Sequence, residues 1–204
     1  MAPDAFSRAT RALAHCERLH VVTLPSRPAR VPAEFAAYSS VVFVQGPAMA
    51  MSIKAFVGAY QIESIQCLKT PNEVHLQEAV FENAALQGLI YVHEPAVGAF
   101  RRTRGSFSVI ETGLCVANEA YAQSNITMFC GNHVTSIGKS AFFEARQLQQ
   151  IHAPKCIMWL ARCGEGSALK HLHLPSQAVV SWRAFARSKL CGVYVSDGCS
   201  LGSQ

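Results

Sequence analysis

A repeat of roughly 21 residues runs along almost the whole chain, and it constrains the fold more than any other feature of the sequence. An aromatic residue or its equivalent marks each unit, at Leu13, Phe35, Phe56, Val80, Phe100, Tyr121, Phe142, Cys163 and Phe185. Successive markers stand roughly 20–24 residues apart, without exception. A fixed period of this size predicts a solenoid, in which each unit buries its apolar side against its neighbours.

Most units end in a short apolar alternation that predicts a β-strand. Its pattern, L-x-x-[IL]-x-[AL], is clearest at 148–153 and 169–174, and Pro154 or Pro175 follows directly. Alternate side chains of such a strand point to opposite faces, so the aliphatic residues face the interior. Proline ends the strand because it lacks a backbone donor. The segment before the strand, such as 140–146, is predicted to form a short helix or 3-10 turn.

The sequence V-T-S-I-G-K-S-A-F at 134–142, followed by L-x-x-I-x-A-P, closely resembles the BspA-like subclass of leucine-rich repeats. The resemblance covers most of 11–199 and is strongest over 134–196. It implies an α/β fold: a right-handed solenoid of about nine units of roughly 20–24 residues each, with short parallel strands on one face and short helices or turns on the other. Proteins of this subclass are non-enzymatic binding and adhesion modules, often on microbial surfaces.

The repeat divides the chain into three parts. Residues 1–18 are expected to form an N-terminal helical cap and the start of the first repeat, 11–199 the repeat array, and 200–204 a short tail. The cap is an amphipathic helix over 4–18. The other end carries no such cap, because Asp197 is the only charged residue after the last predicted strand. An unprotected strand edge recruits further strands, so self-association through the C-terminal edge is expected.

Composition narrows the class of the protein. Half of the residues are apolar and 15% are charged, which excludes a disordered chain. The net charge of +5 is expected to be spread over the whole length, which excludes a strongly basic tail. Polar residues and Pro47 interrupt the longest uncharged run, 35–53, so no membrane span is expected.

The location of the protein is indicated by its N-terminus and its cysteines. Asp4 and Arg8 interrupt any signal-peptide core. None of the eight cysteines forms C-x-x-C, and scattered cysteines are typical of a reduced, intracellular protein. A cytoplasmic location is favoured, with the cell surface or secretion as the alternative.

The sequence contains no complete catalytic or cofactor motif. Gly138-Lys139-Ser140 imitates the end of a phosphate loop, but His133 stands where that loop requires glycine. No G-x-S-x-G nucleophile elbow is present. The basic cluster at 101–104 lacks an aromatic platform, which argues against nucleic acid as the partner. We therefore expect no enzyme and no cofactor, with an enzyme as a remote alternative.

Three histidines are predicted to lie together. His171 and His173 share one face of a strand, and His152 takes the position of His173 in the preceding unit. Neighbouring strands lie about 4.8 Å apart, so the imidazoles should be adjacent. Three such imidazoles could hold zinc or copper. The favoured interpretation is an exposed face without metal, because no acidic partner accompanies them.

The outward residues of the strands form the predicted binding surface. The candidates for partner contact are Phe43, Gln45, Gln66, Ile90, Met128, Gln150, His152, His171, His173 and Tyr194. Few outward positions are charged, and aromatic residues with methionine are typical of the core of a protein interface. The sequence thus predicts a non-catalytic module that binds a protein or peptide rather than a polyanion. A surface or secreted adhesin of the same fold is the alternative.

Overall fold

Nine short parallel strands lie side by side and form the first face of the molecule. The computed structural model describes residues 9–25, 29–69 and 74–196. The strands are β1 (Val21–Thr23), β3 (Phe43–Gln45), β5 (Ser64–Ile65), β7 (Gly88–Val92), β8 (Phe107–Glu111), β10 (Ile126–Cys130), β12 (Gln150–His152), β14 (His171–Leu174) and β16 (Gly192–Val195). They pair in chain order, in groups of three, four and two.

A second row of shorter parallel strands forms the second face. It comprises β2 (Ala29–Val31), β4 (Ala48–Met51), β6 (His75–Leu76), β9 (Cys115–Val116), β11 (Ser136–Ile137), β13 (Met158–Trp159) and β15 (Val179–Val180). A bridge between His75 and His93 continues the row beyond β6. Because the chain visits the two faces alternately, it winds into a β-solenoid of about eight turns. The predicted solenoid with parallel strands is confirmed.

The predicted helices are absent, and the α/β class is wrong. Within the described residues, the only helix is a 3-10 helix at Gln66–Leu68. The segments expected to be helical form tight turns instead. Each coil has two residues with φ between +50° and +71°, four positions apart, as at Ser140 and Glu144. Only Gly58, Gly98 and Gly166 among these eighteen residues are glycine.

Hydrogen bonds between coils explain why so many residues other than glycine adopt the left-handed region. That region costs an ordinary residue roughly 1–2 kcal/mol, but alternate N–H groups of these turns donate to the next coil. The N–H of Tyr121 donates to the carbonyl of Ala141 at 2.8 Å, and the N–H of Phe142 donates to that of Cys163 at 2.6 Å. Each turn therefore satisfies the backbone of the next coil. Buried backbone groups without partners would cost more than the strained φ.

The core contains a stack of aromatic rings along the solenoid axis. Phe56, Phe81, Phe100, Tyr121 and Phe142 stack in sequence, with ring centroids 5.6, 5.3, 5.2 and 5.3 Å apart. All five rings are fully buried. Such near-parallel pairs add to the burial of apolar area. The ladder ends where Gly164 takes the ring position, and Phe185 in the following coil is half-buried.

Three of the predicted repeat markers are one residue out of place. In its own coil, Phe142 occupies the position whose backbone N–H donates to the next coil from the middle of the turn. Ala36, Phe81 and Gly164 occupy the equivalent position in theirs. The markers predicted from the sequence are the residues just before these, Phe35, Val80 and Cys163. All three are buried, as expected of markers. The error arose because two adjacent apolar residues in a turn both point towards the core, and composition does not distinguish them.

The register of the central strands also differs from the prediction. Ile90 was expected to face outwards, but it is buried, as are Val109 and Glu111 on the neighbouring strand. Ile90 pairs with Val109, and Val92 pairs with Glu111. A shift of one residue turns every side chain of a strand to the opposite face. The prediction that Ile90 contacts a partner is therefore wrong.

The two ends of the repeat array differ from the prediction and from each other. At the N-terminus, residues 9–18 form turns like those of the other coils, so the helix predicted over 4–18 is wrong for this part. Residues 1–8 lie outside the described residues, as does the predicted tail at 200–204. At the other end, Val193 and Val195 occupy interior positions yet are 51% and 37% exposed. The last described coil therefore has an uncovered apolar end.

Candidate functional site

A groove of about 660 Å³ lies on the first face, across β10, β12 and β14. Its lining residues are Met128, Arg146, Gln147, Gln149, Gln150, Ile151, His152, Ala168, Lys170, His171, His173 and Lys189. The strands supply the floor, and the residues just before β12, β14 and β16 supply one wall. Ile151 and Leu172 are buried beneath the floor. The exposed side chains of the groove thus stand on strands of two paired groups, β10 with β12 and β14 with β16.

Five of the predicted contact residues meet in this groove: Met128, Gln150, His152, His171 and His173. Tyr194 lies beside it, because its ring stacks on that of His173 with centroids 4.8 Å apart. Phe43 and Gln45 are exposed on β3, outside the groove. Gln66 is also exposed, and its Oε1 accepts a hydrogen bond from the N–H of Gly46 at 2.7 Å.

The histidines share the groove without forming a metal site. No group of three or more His, Cys, Asp or Glu side chains in the described residues is placed to hold a metal ion. The ring of His173 is stacked on Tyr194, and the Nε2 atom of His171 lies 4.0 Å from the Sγ atom of Cys191. All three histidines are exposed, and the described residues give the zinc or copper alternative no support.

The basic wall of the groove was not predicted. Arg146, Lys170 and Lys189 line it, together with Gln147 and Gln149. These residues precede the strands, whereas the predicted contacts lie within the strands themselves. A signal was present in the sequence, because lysine or arginine stands within four positions before the strands β12, β14 and β16.

The positive charge of the chain is concentrated in the segment that supplies most of the groove lining. Residues 145–196 contain seven lysines and arginines and one acidic residue, a net charge of +6. The whole chain has a net charge of +5, so the remainder carries −1. The expectation that the charge is spread over the whole length is wrong. A patch of one sign attracts ligands of the opposite sign and raises their rate of association.

The single acidic residue of that segment, Glu165, is already neutralised by two arginines. Its carboxylate accepts hydrogen bonds from Arg162 at 2.6 Å and from Arg183 at 2.8 Å. The bond from Arg162 is the main cause that lowers the pKa of Glu165 below its usual range. By contrast, no salt bridge among the described residues involves Lys170 or Lys189. Arg146 is 77% exposed and only 3.7 Å from a carboxylate oxygen of Glu144.

Three of the cysteines, Cys67, Cys156 and Cys163, are buried and contribute to packing. The seven cysteines of the described residues are free thiols. Burial raises the pKa of Cys67 to about 11 and that of Cys156 and Cys163 to about 12. A thiol with so high a pKa is not ionised at neutral pH and is a poor nucleophile. Cys163, one of the predicted repeat markers, is completely buried.

Comparison with known proteins gives no relative from which a function can be transferred. No protein-family model matches the chain, and no significant match is found among curated proteins or among solved structures. Within the described residues, no helix has the length and apolar character needed to cross a membrane.

Proposed function

We propose that this chain is a non-catalytic module that binds a protein or peptide ligand on its first face. The observation that carries the proposal is the groove across β10, β12 and β14. Exposed polar and basic side chains from successive coils line this groove, and an aromatic side chain lies beside it. The first face is built by repetition, so a ligand in extended conformation meets equivalent positions at intervals of about 4.8 Å.

The rigidity of the groove supports binding. Two of its floor strands, β10 and β12, pair in register, with Met128 opposite Gln150 and Cys130 opposite His152, and the third, β14, pairs with β16. Leu148 and Leu172 are buried and anchor the coils that carry the wall. Association always costs conformational entropy at the interface, and a preorganised backbone reduces that cost. The exposed groove side chains are then the main groups that ligand binding has to order.

The resemblance to BspA-like leucine-rich repeats supports a binding role in the same way. The motif residues have physical roles in this solenoid. A Cβ atom on Gly138 would lie 2.7 Å from backbone atoms of the preceding coil, Ser140 adopts a left-handed φ of +55°, and Phe142 extends the aromatic ladder. We propose membership of that group on the motif, with an adhesin as the second candidate. Because these motif residues have structural roles, they do not indicate which ligand is bound.

A selection experiment tests the binding role. A random peptide library displayed on phage is panned against the immobilised protein, and enriched peptides are measured by fluorescence anisotropy. We expect His171→Ala to weaken the enriched peptides by about tenfold or more, as for a residue at the centre of an interface. Met158→Ala is the control, because Met158 is 47% exposed on the second face.

Two outcomes would overturn the proposal. One is a selection that enriches no peptide above background. The other is a set of peptides whose affinity depends on Met158 as strongly as on His171. Circular dichroism of both variants verifies that the fold is intact.

We further propose that the chain self-associates through its C-terminal edge. Among the described residues, β16 pairs with β14 on one side and with no strand on the other. Val193 and Tyr194 on this strand are 51% and 52% exposed. Open strand edges with apolar side chains and without lysine or proline favour edge-to-edge pairing.

Sedimentation velocity over a concentration series measures this association. The wild-type protein should shift to larger species as concentration rises, and Val193→Lys or Tyr194→Lys should suppress the shift by placing charge at the edge. Met158→Lys on the second face is the control for an added charge at an exposed apolar position. A wild-type protein that stays monomeric at the highest concentration would contradict the proposal.

A further inference from the structure

We infer that the groove across β10, β12 and β14 binds an acidic, extended peptide segment, rich in glutamate or aspartate. The inference rests on the proposed function, because it names the chemistry of the ligand for the same face. Its basis is the combination of exposed cations and amide side chains in a lining that, among the described residues, includes no acidic side chain.

Two of the three cations of the groove, Lys170 and Lys189, have no salt-bridge partner among the described residues. Both lysines are exposed, and Arg146 forms one exposed ion pair, at 3.7 Å from Glu144. They come from successive coils, so their charges line one wall of the groove. Placing like charges together without compensation is unfavourable, and an anionic ligand removes that repulsion. Carboxylates of the ligand are the natural partners for lysine and arginine.

Three glutamines favour a peptide over other polyanions. Gln147, Gln149 and Gln150 are exposed and line the groove beside the cations. A side-chain amide both donates and accepts hydrogen bonds, which matches the alternating N–H and C=O groups of an extended peptide backbone. A nucleic-acid backbone presents only acceptors along its phosphates. It also binds best to proteins with free aromatic platforms, whereas the ring of Tyr194 already stacks on His173.

The size of the groove fits a short segment rather than a folded surface. A volume of about 660 Å³ is within the range of small-ligand clefts and holds a few residues. The histidines at 152, 171 and 173 add donors along the floor. The expected ligand is therefore a linear acidic motif that lies across the strands and places its carboxylates against the wall formed by Arg146, Lys170 and Lys189.

The test uses a fluorescently labelled peptide of alternating glutamate and serine, with the full chain in near-physiological salt. The comparison ligands are the same peptide with glutamine in place of glutamate, heparin, and single-stranded DNA. We expect the acidic peptide to bind and the glutamine peptide to bind at least about tenfold more weakly. Raising the salt concentration should weaken the acidic peptide, because salt screens exposed charges.

A charge-matched pair of variants separates the groove from general electrostatics. The double variant Lys170→Glu/Lys189→Glu should lose about tenfold or more in affinity for the acidic peptide. The double variant Lys54→Glu/Lys139→Glu changes the net charge equally at exposed positions outside the groove and should lose less than about threefold. Thermal unfolding of both variants verifies folding.

Any one of three outcomes would overturn the inference. The acidic peptide fails to bind, or both double variants weaken it equally, or heparin or DNA binds more tightly with the same dependence on Lys170 and Lys189. If library selection yields neutral peptides that depend on His171, the proposed function stands and this inference alone is wrong. If neither the acidic peptide nor any selected peptide binds, both are wrong.

Discussion

Replacing Phe142 with alanine should lower the free energy of unfolding by about 3–5 kcal/mol, the range for emptying a core aromatic site. Phe142 is completely buried, its ring stacks on Tyr121 at 5.3 Å, and it meets Phe129 edge-on at 5.1 Å. The turns on either side are bonded to neighbouring coils, so they have little freedom to collapse into the cavity. Chemical denaturation followed by circular dichroism measures the change.

An exposed aromatic residue provides the control for Phe142. Tyr60 is 54% exposed, and Tyr60→Ala should change stability by no more than about 0.5 kcal/mol, as for ordinary surface positions. Similar losses for the two variants would contradict the assignment of the aromatic ladder as the core. A change in the slope of the denaturation curve would instead indicate that the coils unfold separately, which repeat proteins permit.

Replacing Glu111 with glutamine should remove a large part of the pH dependence of stability. Glu111 is buried in β8, and its Oε1 atom accepts hydrogen bonds from the N–H groups of Glu94 at 2.9 Å and Gly113 at 2.8 Å. Its Oε2 atom has no hydrogen-bond partner among the described residues. Burial is the main cause that raises the pKa of Glu111 from 4.5 to about 7, and the charge of Glu94 adds to it.

The direction of the effect follows from proton binding. Between pH 4.5 and about 7 the folded chain holds a proton on Glu111 that the unfolded chain has released. Stability must therefore fall as pH rises through this window and level off above it. The favourable contribution is complete below pH 4.5 and lost above about 7, and the difference in pKa corresponds to about 3 kcal/mol.

Denaturation of the wild type and Glu111→Gln from about pH 5 to about pH 8 measures this contribution. Glutamine retains an oxygen for the two N–H donors and carries no charge, so the variant should be more stable than the wild type at the alkaline end of this range. Glu78→Gln is the control, because Glu78 is exposed. Parallel pH profiles for the wild type and Glu111→Gln would show that the carboxyl is not buried as described.

The repeat and the strands of the first face were predictable from the sequence. Apart from the one-residue shift in β7 and β8, the strands lie where the apolar alternation placed them, and Pro154 and Pro175 follow the ends of β12 and β14. These features are local, because the side chains that face the interior must recur with each coil and proline acts on its own backbone. For the same reason, His171 and His173 were correctly placed on one exposed face of β14.

The turns required the tertiary structure. Residues such as Ser140 and Glu144 carry no strong preference for positive φ, and tight turns with an alanine and an aromatic residue resemble a short helix in sequence. What selects the left-handed conformation is the hydrogen bond from one coil to the next, as from Phe142 to Cys163. Such a bond joins residues a full repeat apart in the chain, so propensity within a short window does not reveal it.

The groove was likewise decided by tertiary structure. The sequence determined the outward positions of β12 and β14, whose side chains form its floor, because alternation along a strand is a local property. It did not determine that Arg146, Lys170 and Lys189 from three coils stand on one wall, since their separation depends on how the turns stack. Nor did it determine the register of β7 and β8, where a one-residue shift buried Ile90 and Glu111. Faces follow from local alternation, whereas adjacency between coils follows from hydrogen bonds that only the assembled solenoid contains.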